Sequence, residues 1–528
     1  MTTNQIQNFA LPAKIFTGDV VKAAYAAQEV VSFQGNPLVE ALPPMLERQT
    51  VVDHLAYSLE YDETDRCLPD AHRMYLVQEI VNFFEPLPVH LDLERRFANM
   101  IRLGLTARNP LDRSYWQVLN QDEAQIQLTD SQSWQPHRKR TRSTGVGFGI
   151  IGDSGVGKTS AVEAILSLYP QVILHEQYQD KPFNFTQLVW LMLECPYDGS
   201  IKSLCLHFFE LVDDLLNTNY YRVFARNGQA SVEQMRPKIA RVAGLHGIGV
   251  LVIDEIQQLS QAKSGGAAKM LNFFVGLVNV LGLPVVLVGT NEALSILGGT
   301  FRNARRLSGQ GDFHWKRMAN DGMWRYFVES LWGYQYTRTP TPLTQELLDA
   351  LYFETQGVID LAVKVYMLAQ IRAITVAQAS ASTSAAQSET ITVELLQSAA
   401  QDGLSFLQPL LRDMRSGKVN PQHLPYATID IQHFVQAVMQ MMLHAPSSAE
   451  NSDTTLPELK QVREPHDVMS TTVKTDESIV APPTVKPDLH QLPLIRAVNN
   501  DTEESAYTAL AKAGYIRSAT EFMVEATS

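Results

Sequence analysis

Three uninterrupted apolar runs, each bounded by glycine or polar residues, stand out along the 528-residue chain. They cover residues 146–151, 250–253 and 284–288, and a similar run covers 187–193. Continuous apolar runs of this length are typical of strands that are buried on both faces of a parallel sheet. The pattern therefore predicts a buried parallel sheet of at least four strands.

Apolar residues at helical spacing surround these runs. The spacing predicts helices over 54–105, after the first strand, and over 200–216, 344–373, 393–410 and 429–443. A short helix is predicted over 19–33. Three prolines between 36 and 44 predict an extended strap, packed either on the chain's own surface or on a neighbouring subunit.

The polar and apolar patterns divide the chain into five parts. They are an N-terminal arm and helical extension, an α/β nucleotide-binding core, a helical lid with following helices, a disordered linker poor in aromatic residues, and a helical tail that binds a partner. The expected bounds are 1–135, 136–335, 336–444, 445–492 and 493–528.

Charge and cysteine content restrict the class of protein. The formal net charge is −13, so any contact with nucleic acid must use a local basic patch. Three cysteines without C-x-x-C spacing argue against a disulfide framework or a zinc site. The absence of a secretory pattern and of a long apolar run predicts a cytoplasmic protein without membrane contact.

The decisive motif follows the first apolar run. Residues 152–159 read Gly-Asp-Ser-Gly-Val-Gly-Lys-Thr, a complete phosphate loop between a predicted strand and a predicted helix. Its N–H groups and the helix N-terminus favour phosphate oxygens. Lys158 is expected on the β- and γ-phosphates of ATP and Thr159 on Mg²⁺. The predicted nucleotide contacts are Gly152, Asp153, Ser154, Gly155, Val156, Gly157, Lys158, Thr159 and Ser160.

The second and third strands end in candidate catalytic residues. Asp254 and Glu255 follow the run 250–253, where Asp254 would hold Mg²⁺ and Glu255 would deprotonate the attacking water. Thr290 and Asn291 follow the run 284–288 and can contact the γ-phosphate or that water. Capping of the next helix is the alternative role for Asn291.

A cluster of arginines comes soon after the third strand. Arg302, Arg305 and Arg306 predict an arginine finger that completes the site of an adjacent subunit, or else a salt-bridged surface. The cluster therefore connects catalysis with assembly.

The order of these motifs resembles that of AAA+ ATPases. Five segments resemble more closely the TnsC family, the ATPase regulators of Tn-seven-type bacterial transposons, including CRISPR-associated ones. They are Asn-Pro-Leu-Val-Glu-Ala-Leu-Pro-Pro at 36–44, Leu-Val-Ile-Asp-Glu-Ile-Gln-Gln-Leu-Ser at 251–260, Ser-Gly-Gly at 264–266 followed by Met-Leu-Asn-Phe-Phe at 270–274, Arg-Asn-Ala-Arg-Arg at 302–306, and Gln-Gly-Val-Ile-Asp at 356–360.

The resemblance implies an AAA+ P-loop NTPase core with a helical lid. It also implies ATP-bound rings or filaments on double-stranded DNA. These assemblies link a TniQ/TnsD-type target selector, with or without an RNA-guided complex, to the TnsA–TnsB transposase. Segments that AAA+ rings often turn toward the pore supply the candidate DNA contacts, which are Lys202, Arg222, Arg226 and Lys263.

One position departs from the pattern of many AAA+ lids, which carry an arginine that senses the γ-phosphate. Here Val358, Ile359 and Asp360 follow Gly357, and Lys364 is the candidate substitute. Other functions stay open on the sequence: another AAA+ DNA-loading ATPase, a nucleotide-gated scaffold, or a phosphotransferase such as a nucleoside kinase.

Overall fold

The computed structural model describes residues 17–56, 59–119, 147–261, 266–278, 282–294, 309, 311, 313–380 and 389–416. Its centre is a five-stranded parallel sheet in the order β5-β6-β7-β2-β8. The strands are β2 (Gly147–Gly152), β5 (Trp190–Glu194), β6 (Val250–Asp254), β7 (Val285–Gly289) and β8 (Phe313–Trp315). The three principal apolar runs are confirmed as buried strands of this sheet.

Helices cover both faces of this sheet because successive side chains of a strand point to opposite faces. On one face, Leu251 and Ile253 pack in a core with residues of three helices. On the other face, Val250 and Val252 pack in a core that includes residues of two further helices. The helices on the first face are α7 (Ile201–Leu216), α9 (Val232–Leu245) and α10 (Gly266–Gly276), with the short α8 (Tyr220–Phe224) beside α7. The helices on the second face are α4 (Pro88–Thr106) and α6 (Lys158–Leu166).

The apolar run 187–193 is divided between two sheets. Its first part ends β4 (Lys181–Leu188), and its second part forms β5. β4 pairs with β3 (Val172–Tyr178), and β3 pairs on its other side with β1 (Val20–Lys22), which gives a three-stranded sheet. The prediction of one continuous strand was wrong because periodicity does not show where a chain changes sheet.

The N-terminal region packs on the rest of the chain. The predicted helix over 19–33 was wrong, since β1 lies there as an edge strand. The segment 36–44 contains the helical turn α1 (Pro37–Glu40), capped by Asn36 rather than fully extended. Leu38 is completely buried, and its carbonyl accepts from Gln187 Nε2 at 3.0 Å. Of the two expected locations, the strap therefore takes the one on the chain's own surface.

A second body is helical. It comprises α11 (Gly322–Trp332), α12 (Gln345–Thr355), α13 (Ile359–Ser380), α14 (Val393–Gly403) and α15 (Gln408–Arg415). α3 (Asp70–Glu79) adds Val77 to the core of this body, although it is distant in sequence. The remaining helices are α2 (Arg48–Leu55) and α5 (Arg113–Leu119). Since α3 packs with the lid and α4 with the sheet, the N-terminal extension contributes to two cores.

Several predictions lie outside the described residues. They concern the helix over 429–443, the linker over 445–492 and the tail over 493–528. The described helix α13 extends to Ser380, beyond the predicted helix end at residue 373. Among the described residues, no helix combines the length and apolar content needed to cross a membrane.

Candidate functional site

The phosphate loop joins the end of β2 to the start of α6. Lys158 is the first residue of α6, and Gly157 precedes it with φ of +91°. Gly155 also lies at positive φ, +74°. Residues with a Cβ rarely adopt this region, so the glycines allow the chain to curl between strand and helix. The loop has the backbone shape that presents N–H groups to an anion.

Lys158 lies under the loop, with 8% of the residue exposed. Its Nζ donates to the carbonyl of Asp153 at 2.7 Å and to that of Gly152 at 3.2 Å. Burial lowers the pKa of Lys158, although three neighbouring carboxylates act in the opposite direction. A desolvated ammonium held by backbone carbonyls gains more charge-assisted hydrogen bonding if phosphate oxygens come within reach.

The acids at the end of β6 reach the start of α6. Thr159 Oγ1 donates to Asp254 Oδ2 at 2.7 Å, and Asp254 is 3% exposed. Burial raises the pKa of Asp254, which the hydrogen bond from Thr159 partly opposes. Hydroxyl and carboxylate oxygens are suitable ligands for Mg²⁺. Thr159 and Asp254 therefore fit the expected metal, and they lie where a loop-bound phosphate would share it.

Glu255 follows directly, with a left-handed backbone at φ of +55°. Such a conformation is uncommon outside glycine and often marks functional positions. Burial raises the pKa of the Glu255 carboxyl, and the charge of Asp254 raises it further. A partly desolvated carboxylate with a raised pKa is a suitable proton acceptor near neutral pH.

The tip of β7 also contacts the phosphate loop. Asn291 Nδ2 donates to Asp153 Oδ1 at 2.7 Å, and its Oδ1 lies 3.2 Å from His314 Nε2 on β8. The Asn291 side chain is thus bound to the loop instead of capping a helix. Thr290 Oγ1 is buried, and the described residues offer it no hydrogen-bond partner. An unsatisfied buried hydroxyl fits a water or a phosphate oxygen.

The helical body contacts the loop from the other side. The backbone N–H of Asp360 donates to the carbonyl of Gly155 at 3.0 Å. Lys364, the candidate lid sensor, is 3% exposed, and its Nζ lies 2.7 Å from Asp360 Oδ2. Lys364 therefore lies one helical turn after Asp360, which contacts the loop, and forms an ion pair with it.

The remaining predicted residues differ in their exposure and in their distance from the phosphate loop along the chain. In the loop, Val156 is buried, Ser154 half-buried and Ser160 exposed. Lys202, Arg222 and Arg226 are exposed on α7, α8 and the turn after α8. Lys263 and the arginines at 302, 305 and 306 lie outside the described residues.

The segments that carry these exposed cations pack against one another. A Cβ at Gly228 would lie 3.9 Å from Leu206 Cδ1, so the turn that contains Arg226 returns to within a helical turn of Lys202. Asp213 fixes this return by accepting from the N–H groups of Tyr220 and Tyr221. The three candidates thus lie on neighbouring segments of the chain.

Sequence reasoning missed three residues at the site. They are Gln257, which donates to Glu255, His314, which contacts Asn291, and Glu194, whose Cα pairs with that of Asp254 in the sheet register. Gln257 could have been found from its position two residues after Glu255. Glu194 and His314 become neighbours of the site only through strand order.

Comparison with known proteins matches a family to the part of the chain that contains most of the parallel sheet. The family described as "AAA domain" matches residues 141–297. This region contains the phosphate loop, the Asp-Glu strand and the polar tip of β7. No curated protein sequence gives a significant match.

Solved structures similar to this chain include three archaeal proteins. The Walker-type ATPase paby2304 of Pyrococcus abyssi is 14% identical, covers 56% of this chain and 84% of its own, with a TM-score of 0.28. Cdc6p from Pyrobaculum aerophilum is 13% identical, with coverages of 60% and 85% and a TM-score of 0.33. The Aeropyrum pernix ORC2 protein is 12% identical, with coverages of 57% and 82% and a TM-score of 0.30.

The family match, the parallel sheet and the phosphate loop together define the class: this part of the chain has the AAA+ P-loop NTPase fold. The candidate nucleotide-binding site lies at the carboxyl ends of β2, β6 and β7, where α/β sheets bind their ligands.

Proposed function

We propose that this chain hydrolyses ATP and acts as an oligomeric, DNA-bound regulator of transposition of the TnsC type. The observation that carries the enzymatic part is the convergence of Lys158, Thr159, Asp254 and Glu255 at one edge of the sheet. The regulatory part is supported by the sequence resemblance, which extends from the N-terminal strap to the lid.

The chemistry follows from the positions of these side chains. The loop N–H groups and Lys158 bind the phosphates. Thr159 and Asp254 would hold Mg²⁺, which would neutralise phosphate charge. Glu255 accepts a proton from the attacking water while the oxygen of that water forms a bond to the γ-phosphorus. The bond from that phosphorus to the bridging oxygen breaks, which releases ADP and inorganic phosphate.

DNA binding is proposed for the surface that carries Lys202, Arg222 and Arg226. Phosphate contacts of this kind carry no sequence information, so they suit a regulator that is directed to its target by another protein. The proposed partners are double-stranded DNA, further copies of this chain, the TnsA–TnsB transposase and a TniQ/TnsD-type selector with or without an RNA-guided complex.

The DNA proposal is tested by binding duplexes of unrelated sequence over a range of salt concentrations in the presence of ATP. Substitution of Lys202, Arg222 or Arg226 by Gln should weaken binding to all sequences alike and reduce the slope of log K against log salt by about 0.9 for each lost contact. The control is Lys181→Gln, which removes an exposed charge from β4. Unchanged slopes in all three variants would contradict the assignment.

The oligomeric proposal is tested by complementation. Replacement of the essential member of Arg302, Arg305 and Arg306 by Ala should lower the hydrolysis rate by about 10³- to 10⁵-fold while ATP still binds. Mixing this variant with Lys158→Ala should restore activity, because a mixed interface combines an intact loop with an intact arginine. If all three arginine variants assemble in sedimentation but none complements, the arginine does not act in trans.

A further inference from the structure

Gln257 is a half-buried side chain that takes no part in the proton transfer described above, although it lies beside the proposed base. It belongs to the short 3-10 helix Ile256–Gln261 that follows β6. Its Oε1 accepts from the backbone N–H of Thr290 at 3.0 Å, and its Nε2 donates to Oε2 of Glu255. The side chain thus bridges the ends of β6 and β7.

The orientation of this amide is determined by its partners. A backbone N–H can only donate, so the oxygen of Gln257 must face Thr290. The nitrogen must then face Glu255, whose ionised carboxylate can only accept. The bridge therefore supports the ionised form of Glu255 and restrains the direction of its carboxylate.

The neighbouring strand leaves space for this bridge. A Cβ at Gly289 would lie 2.7 Å from Gln257 Oε1 and 2.5 Å from Ile256 Cγ2. Only a residue without a side chain at this position of β7 allows the amide to reach the Thr290 N–H. Sheet and 3-10 helix are thus shaped around the Gln257 side chain, in contrast to the adjacent Gln258, which has the same chemistry.

We propose that Gln257 is a positioning residue for ATP hydrolysis. It holds the Glu255 carboxylate in the direction of the attacking water and couples it to the tip of β7, which also carries the unsatisfied Thr290 hydroxyl and the loop contact of Asn291. A displacement of this tip by bound phosphate would move the base through the amide. This inference rests on the proposed ATPase activity.

The test compares three variants by steady-state hydrolysis, ATP binding and thermal unfolding. Gln257→Ala should lower kcat by about ten- to a hundredfold, the loss expected for one hydrogen bond to a charged group. ATP affinity should be unchanged. Because the lost donor holds the Glu255 carboxylate and does not contact the nucleotide, the loss should appear in kcat while KM for ATP stays the same.

Gln257→Glu keeps an oxygen for the Thr290 N–H and removes the donor to Glu255. A second negative charge beside Glu255 repels its carboxylate, so kcat should fall at least as far as in Gln257→Ala. Gln258→Ala, on the same turn, should leave kcat unchanged.

The outcomes separate this inference from the proposed function. Absence of hydrolysis by the unmodified chain with ATP, Mg²⁺ and DNA overturns both. If the unmodified chain hydrolyses ATP and both Gln257 variants keep its kcat, or lose kcat together with ATP affinity or thermal stability, the inference alone is overturned. If Gln257→Ala does not fold, Gln257→Glu decides, since it retains the contact with β7.

Discussion

Two buried cations, Arg73 in the helical body and Lys158 in the phosphate loop, differ in how they are satisfied. Arg73 is 0% exposed and donates to both oxygens of Glu389, to Asp70, and to the carbonyls of Leu68 and Tyr336. Burial alone lowers the pKa of Arg73, but the hydrogen bonds to the two carboxylates outweigh it and raise the pKa. Arg73 thus has protein partners around its whole guanidinium.

Lys158 is buried to a similar degree but has a different environment. Its two hydrogen bonds go to backbone carbonyls of its own loop, and burial lowers its pKa. The acids near it, Asp254 and Glu255, have raised pKa values, again because of burial. The nearby Thr290 hydroxyl has no partner among the described residues.

The difference indicates which cluster serves the fold and which serves a ligand. A buried ion pair with a full set of hydrogen bonds joins elements, here α3 and the segment before α14, and leaves nothing for a ligand to satisfy. A site whose charged groups are desolvated and incompletely paired gains when a charged ligand enters. Three substitutions test this distinction.

The largest effect is expected at Glu255. Glu255→Gln should reduce ATP hydrolysis by about 10²- to 10⁴-fold, the typical contribution of a general base, because the amide cannot accept the proton of the attacking water. ATP binding and thermal stability should be retained. Single-turnover hydrolysis and equilibrium binding of ATP measure the two effects. Hydrolysis at the parental rate would show that Glu255 is not the base.

The next effect is expected at Arg73 and concerns stability alone. Arg73→Met should lower the free energy of unfolding by about 3–5 kcal/mol, because Glu389 is left buried without its main partner. Chemical denaturation measures this loss. The control is Arg338→Met: its side chain is 58% exposed and lies 2.9 Å from Asp70, so it should cost no more than about 1 kcal/mol. Equal losses would contradict the assignment of Arg73 as the structural cation.

The smallest effect is expected for Lys158→Met, the substitution that matches Arg73→Met. Lys158→Met should weaken ATP binding by about tenfold to a hundredfold or more, since charge-assisted hydrogen bonds to phosphate are lost. Unlike Arg73→Met, it should leave the unfolding free energy nearly unchanged, because a desolvated ammonium is replaced by an apolar side chain of similar length. Calorimetric titration with ATP and denaturation separate the two readouts. A large loss of unfolding free energy would show that Lys158, like Arg73, stabilises the fold.

Local sequence was sufficient to predict a feature wherever the residues that define it are adjacent in the chain. The phosphate loop was predicted because its glycines, lysine and threonine are adjacent in the chain. The strands that end at Asp254 and Thr290 were predicted because strands buried on both faces are apolar without interruption. Parallel strands end at one edge of the sheet, so the meeting of these residues with Lys158 also followed.

Tertiary structure decided what depends on residues far apart in the chain. Periodicity shows which side of an element is buried but not against what, so it could not divide 187–193 between two sheets or place α3 with the lid. The hydrogen bonds of Arg73 to Glu389 and of Gln257 to Thr290 join residues 316 and 33 positions apart. Such pairs form only when strand order and helix packing bring them together. The sequence therefore predicted the candidate nucleotide site, while the fold determined how the proposed base, Glu255, is held.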